Sequence, residues 1–339
     1  MDADTNKTPC VPISILTGYL GAGKTTLVNH LLSQDHGLRF AVIVNEFGEI
    51  GIDNDLILSR DEELLTMNNG CVCCTVRGDL TRTLRDLLKR SEAFDGIIIE
   101  TTGLADPAPI IQTFFADQIL MAQATLDSVT TVVDAVHVLD RIEDSHEAAQ
   151  QIAFADQIIL NKIEAVSDEA RAKIEDELRR LNPAAPIYPA TKAHVDLTHI
   201  LGQDKFDLDR IARDFADPGQ TSQTSQTSDD DHHHHNHIHK SGITSVSFAS
   251  DKPMDLDRLG TWLQDLLKSE GQNILRGKGI LCIAGDERKL VFQSVHMMME
   301  CDFQQDWGED ENRTNRIVFI GRNLNDNDLR RGFDACANA

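Results

Sequence analysis

Over the first two hundred residues, short unbroken apolar runs alternate with amphipathic stretches. The runs lie at residues 13–16, 40–44, 96–99, 129–133, 157–160 and 187–188. Between them the spacing of apolar side chains predicts helices, for instance at 25–32, 80–88 and 168–181. A strand apolar on both faces needs cover on both faces, so this order predicts a mostly parallel sheet with helices on each side. The pattern stops after Phe215, where Pro218 and Gly219 lead into a Gln/Thr/Ser repeat, then three aspartates and a histidine tract. Nothing in that stretch can bury a core, and it reads as a linker. A different pattern starts at Ile243. A strand at 245–248 precedes a helix with Leu256, Leu259, Leu263 and Leu266 on one face, ended by Gly271. Strands at 279–283, 290–296 and 317–320 and a short helix at 326–333 follow, which predicts a smaller α+β domain.

The expected organisation is therefore an α/β domain over residues 1–218, a linker over 219–242 and a second domain over 243–339. A chain of 339 residues is long for one core, which agrees with two. The first nine residues are polar, and no apolar stretch approaches the roughly 18 residues of a membrane span, so the expectation is a cytoplasmic protein with no membrane partner. Seven cysteines, an odd number, fit a reducing compartment better than a disulfide framework. The net charge of −23 argues against nucleic acid, whose phosphates bind lysine and arginine. It suits cations, and it suits plain solubility equally well.

Chemistry concentrates in four segments. Gly18, Gly21 and Gly23 with Lys24, Thr25 and Thr26 have P-loop spacing between a strand and a helix. Backbone N–H groups of such a loop close on phosphate, lysine bridges the outer phosphates, and the Thr25 hydroxyl ligates Mg2+. The P-loop is thus read as a nucleotide site. Glu100 ends a buried strand and Gly103 follows, which predicts a carboxylate on magnesium or on the attacking water and an amide on the γ-phosphate. Asn161, Lys162 and Glu164 follow another strand as a base-reading motif, with glutamate in place of the commoner aspartate. The paired acceptors survive, so guanine, and therefore GTP, is expected.

The remaining two segments point to metal. Cys71, Cys73 and Cys74 put three thiols within four residues behind Gly70. A structural zinc site takes four ligands from separated pairs; three leave a position open, as transfer requires. Buried thiols or a redox switch are the other readings. His232, His233, His234, His235, His237 and His239 form a linker tract beside Asp229 to Asp231. It is either a low-specificity metal reservoir, since imidazole suits zinc, cobalt, nickel and copper, or a solvated spacer.

Together these segments resemble the CobW family of P-loop GTPases. The resemblance runs through the P-loop, residues 44–53, Cys71-Val-Cys-Cys74, residues 100–107 and Asn161-Lys162, and into the second half at 276–279, 291–296 and 316–324. It implies a P-loop NTPase domain followed by a CobW C-terminal domain, with Zn2+ or Co2+ held by the three cysteines and passed to a client protein under control of GTP. Carried over by position, Glu46, Glu49 and Asp53 would lie in the first switch region, near nucleotide and metal. A homodimer is kept among the candidate partners. A storage or sensor protein with a vestigial GTPase and a cobalt-specific maturation factor are the competing expectations.

Overall fold

The computed structural model describes residues 10–34, 37–45, 63–67, 75–89, 94–202, 241–308 and 311–337. In chain order the first part contains β1 (Val11–Thr17), α1 (Lys24–Ser33), β2 (Phe40–Asn45), β3 (Glu63–Met67), α2 (Thr75–Leu88), β4 (Gly96–Glu100), α3 (Ala108–Ala116) and α4 (Gln118–Gln123). It continues with β5 (Ala124–Asp134), α5 (Val138–Asp144), α6 (His146–Phe154), β6 (Gln157–Asn161), α7 (Asp168–Leu181) and β7 (Ile187–Pro189). The second part contains β8 (Ile243–Ser250), α8 (Leu256–Glu270), β9 (Ile274–Cys282), β10 (Arg288–Val295), β11 (Met298–Asp306), β12 (Asn315–Arg322) and α9 (Asp326–Ala335).

The first seven strands form one sheet in the order β3-β2-β4-β1-β5-β6-β7, and each neighbouring pair is parallel. The expected buried runs are strands of this sheet. The addition is β3, whose five residues at the sheet edge carry too short a pattern to separate from a loop. Local chemistry sets the helix ends. In α7 the Ser167 hydroxyl accepts from the Ala170 N–H at 3.2 Å, Asp168 and Glu169 lie in the first turn, and Arg179 and Arg180 lie in the last. Those charges complement the helix dipole, and Ile174, Leu178 and Leu181 form the buried stripe.

The second sheet is antiparallel, in the order β11-β10-β9-β12-β8. α8 begins on Asp255, whose side chain accepts from the Arg258 N–H at 3.0 Å, and it buries Leu259, Leu263 and Leu267. Leu256, expected on that face, sits in the first turn and is exposed. β11 escaped the sequence reading because it is an edge strand with mostly exposed side chains, so alternation carries little signal. α8 and α9 cover one face through Phe248, Met254, Leu263, Phe319 and Phe333. From the same domain, Ile243, Leu275, Val295, Val318 and Ile320 join the hydrophobic cluster of the first sheet. Each such side chain contributes about 1.5–3 kcal/mol when fully buried, so the contact between the two parts is a core and not a surface touch.

Candidate nucleotide-binding site

In a parallel sheet all strands point their C-terminal ends to one edge, and the loops that leave there converge. β1 ends at Thr17, and the chain turns through Gly18, Gly21 and Gly23, all with positive φ, into α1. Gly23 has φ 108°, and a Cβ there would come within 2.5 Å of Asn161 Nδ2, so both the turn and the close approach demand glycine. Lys24 is buried, and its Nζ donates to the carbonyls of Gly18 at 2.8 Å and Tyr19 at 3.3 Å. The ammonium is thereby lodged at the mouth of its own loop. Thr26, one residue past Thr25 in the first turn of α1, is exposed.

The register pairs Leu16 of β1 with Glu100 of β4, which brings the end of β4 beside the loop. The Thr25 hydroxyl donates to Glu100 Oε1 at 3.0 Å, and Glu100 is only 4% exposed. Magnesium, which a P-loop calls for, takes hard oxygen donors, and this hydroxyl–carboxylate pair is such a set, so the residues fit the ion. Beyond β4 the chain lies directly on the P-loop: a Cβ on Gly103 would meet the Leu20 backbone nitrogen at 2.6 Å. From α6, Gln151 Nε2 donates to the carbonyls of Gly103 at 3.2 Å and Ala105 at 3.0 Å. Asp106 Oδ1 accepts from the Ala108 N–H at 2.9 Å, and this bond starts α3.

The motif expected to read the base leaves the end of β6. Asn161 is buried, and its amide is spent internally: Nδ2 donates to the Ala22 carbonyl at 2.9 Å, and Oδ1 accepts from the Ala193 N–H at 2.8 Å. Lys162, in the left-handed region at φ 63°, reaches across to the Gly21 carbonyl at 2.8 Å and pairs with Asp134 at 2.7 Å. Both residues are struts that tie the P-loop to neighbouring strand ends. Glu164 stands exposed on the short turn Ile163–Ala165, an outward carboxylate at the rim. Close by, the His30 ring of α1 and the His194 ring lie 4.3 Å apart by centroids. Burial, and then the neighbouring His194, hold His30 below its ordinary pKa.

The structure therefore gathers Gly18, Gly21, Gly23, Lys24, Thr25, Glu100, Gly103, Asn161 and Lys162, with Thr26 and Glu164 exposed. Three participants were missed in the sequence. Asp134 is the last residue of β5 and Ala193 lies just beyond β7, positions at strand ends that could have flagged them. Gln151 lies on a helix with no local signal at all. Glu46, Glu49, Asp53, Cys71, Cys73, Cys74 and the histidines from His232 to His239 lie outside the described residues. Among the described residues no three His, Cys, Asp or Glu side chains converge as a metal site. Cys282 and Cys336 there are buried, and burial first of all pushes the Cys336 thiol up to about 11, so it stays protonated at neutral pH. No described helix is long and apolar enough to cross a membrane.

Comparison with known proteins agrees with this geometry. Residues 12–189 match the CobW/HypB/UreG nucleotide-binding domain, and residues 243–337 match the cobalamin synthesis protein cobW C-terminal domain. The zinc chaperone YjiA of Escherichia coli is 36% identical over 327 residues, covering 95% of this chain and 98% of its own. The zinc chaperone CobW of Pseudomonas aeruginosa is 36% identical over 346 residues, covering 93% and 88%. The crystal structure of Zn(II)-bound YjiA GTPase from E. coli superposes with a TM-score of 0.78 at 31% identity, over 98% of this chain and all of that one. Two family domains in the family's order, on a P-loop whose lysine, threonine and facing glutamate are in place, make the chain a member of the CobW family of P-loop GTPases.

Proposed function

We propose that the protein is a GTP-dependent metallochaperone that holds a divalent transition metal, zinc first, on Cys71, Cys73 and Cys74 and passes it to a client protein as GTP is hydrolysed. The observation that carries this reading is the meeting of Thr25 with Glu100 and of the Gly103 segment with the P-loop. A γ-phosphate bound by Lys24 would touch the segment that must move on hydrolysis. Glu100 would hold magnesium through water or orient the attacking water, and the Gly103 amide would contact the γ-phosphate. Glu164 would accept from guanine, with Asn161 and Lys162 keeping the P-loop in register with it.

The metal half is supported by placement and by kinship. β3 pairs with β2 in parallel and ends at Met67, α2 starts at Thr75, and the thiol motif lies between them in the chain. Two relatives that span nearly the whole chain are named zinc chaperones. Thiolates are the metal-binding form of cysteine, which suits a reducing cytoplasm and makes affinity fall as pH drops. The proposed domain limits are 1–218, 219–242 and 243–339, with the histidine tract as a low-specificity metal reservoir.

The test is metal affinity, by competition with a chelating dye, in the presence of a non-hydrolysable GTP analogue with magnesium, GDP, or no nucleotide. The analogue should tighten binding by about 5–150-fold, and metal should tighten the analogue by the same factor. Serine at all three cysteines should remove both effects and spare GDP binding. Equal affinity in all three states would leave a storage protein in place of a chaperone.

A further inference from the structure

We propose that α6 is a rigid link through which the second domain holds the phosphate-sensing segment, with Gln151 as its positioning residue; this rests on reading Gly103 as the γ-phosphate contact. The residues of α6 from Ala148 to Phe154 are all buried. Gln151, 1% exposed, donates to the carbonyls of Gly103 and Ala105, and Gln150 Nε2 donates to Asp106 Oδ2 at 3.3 Å. The helix cannot slide freely, because the Gln151 carbonyl accepts from the Thr131 hydroxyl of β5 at 2.7 Å.

Three residues further on, about 4.5 Å along the axis, the same helix is gripped by the second domain. Arg276 of β9 donates to the Phe154 carbonyl at 3.1 Å and pairs with Asp156. Lys278 Nζ lies 2.7 Å from the same carboxylate, whose other oxygen accepts from the Val129 N–H at 2.9 Å. Asp156 is completely buried at its side chain. The His296 ring packs 5.5 Å from the Phe154 ring. Asn182 Nδ2 closes the helix end by donating to the carbonyls of Ile152 at 2.8 Å and Ala155 at 2.9 Å.

Packing alone does not account for a glutamine at this position. Gln151 Oε1 is buried with no hydrogen-bond partner among the described residues, a cost that an apolar side chain of the same size would avoid. The two N–H bonds to the segment are what the residue supplies. Holding the Gly103 carbonyl restricts the residue whose N–H is assigned to the γ-phosphate. A shift of the second domain would reach it through a single helical turn.

The experiment is single-turnover GTP hydrolysis by the full chain, with GDP affinity and melting temperature measured alongside. Gln151→Met keeps volume and removes the idle acceptor, so the fold should hold. Hydrolysis should fall roughly 5- to 150-fold for two lost hydrogen bonds, while GDP affinity stays within about 3-fold. Gln151→Glu, which turns the donor into an acceptor, should lose more. His296→Ala, on the second domain, should show the same split with a smaller loss, and the double variant with Gln151→Met should be no slower than Gln151→Met alone. An unchanged rate in either single variant, or losses that multiply in the pair, overturns the link. Gly103→Ala separates the two readings. Normal hydrolysis there removes the sensing role itself. A Gly103→Ala that still binds GDP within about 3-fold despite the Cβ against the P-loop but does not hydrolyse GTP, beside a fully active Gln151→Met, removes only the link.

Discussion

Every strand pair of the first sheet is parallel and every pair of the second is antiparallel, and the two sheets use buried charge differently. In the first, Lys24 is held by backbone carbonyls of its own glycine loop, and Glu100 and Asn161 arrive beside it from the ends of β4 and β6. In the second, Lys289 meets Glu311 at 2.7 Å, and Arg276 and Lys278 share Asp156. Parallel strands bring their C-terminal loops to one edge, so polar groups from distant stretches converge on a ligand. Antiparallel strands alternate their ends, and polar groups buried there pair within the fold. A buried lysine is therefore held by a glycine loop in one sheet, where we propose it meets phosphate, and is a structural tie in the other.

The largest effect that sharpens this contrast is at Lys24. Lys24→Ala should weaken GTP analogue binding by roughly 100-fold or more, the scale of two charge-assisted bonds, with little change in melting temperature. Titration calorimetry checks the first part, and a melting temperature that collapses would mean Lys24 belongs with the structural ties. Asp156→Ala should act in the opposite sense. It leaves two buried cations without their shared carboxylate and should cost about 3–5 kcal/mol of stability in urea unfolding. Full stability in that variant would break the comparison.

A smaller effect is expected at the rim. Glu164→Ala should relax the preference for guanine over adenine by about 1–3 kcal/mol, whereas Glu164→Asp should keep it, as competition between labelled GTP and ATP would show. Equal binding of both nucleotides by the unaltered chain would remove Glu164 from base recognition. The smallest effect belongs to His30. Its pKa is lowered from 6.5 by burial and then by His194, so the folded form binds a proton less readily than the unfolded chain. The stability it contributes is present above about 6.5 and is lost as pH falls toward the folded value. Melting temperature should drop between about pH 7 and 5.5 by more in the unaltered chain than in His30→Gln, and equal drops would dismiss the histidine pair.

The P-loop, the strand that precedes it and the helix that follows were legible because their determinants lie within a few residues of one another. Glycines sit at left-handed turns, apolar runs need cover on two faces, and Ser167 or Asp255 caps a helix three residues ahead. The same locality made Glu100, Gly103 and Asn161 visible as groups at strand ends. Locality could not say that Asn161 would spend its amide on Ala22 and Ala193, 139 and 32 residues away, or that Gln151 would hold Gly103 from 48 residues away. Nor could it place β3 and β11, short or polar strands whose pairing comes from a neighbour already in the sheet. The joining of the two sheets through Asp156 and the shared hydrophobic cluster was equally out of reach. Sequence alone determined the elements whose pattern is carried by neighbouring residues, and what chemistry their ends can carry. Which ends meet was decided by strand order and sheet packing, because hydrogen bonds between distant residues exist only once the backbone brings their partners together.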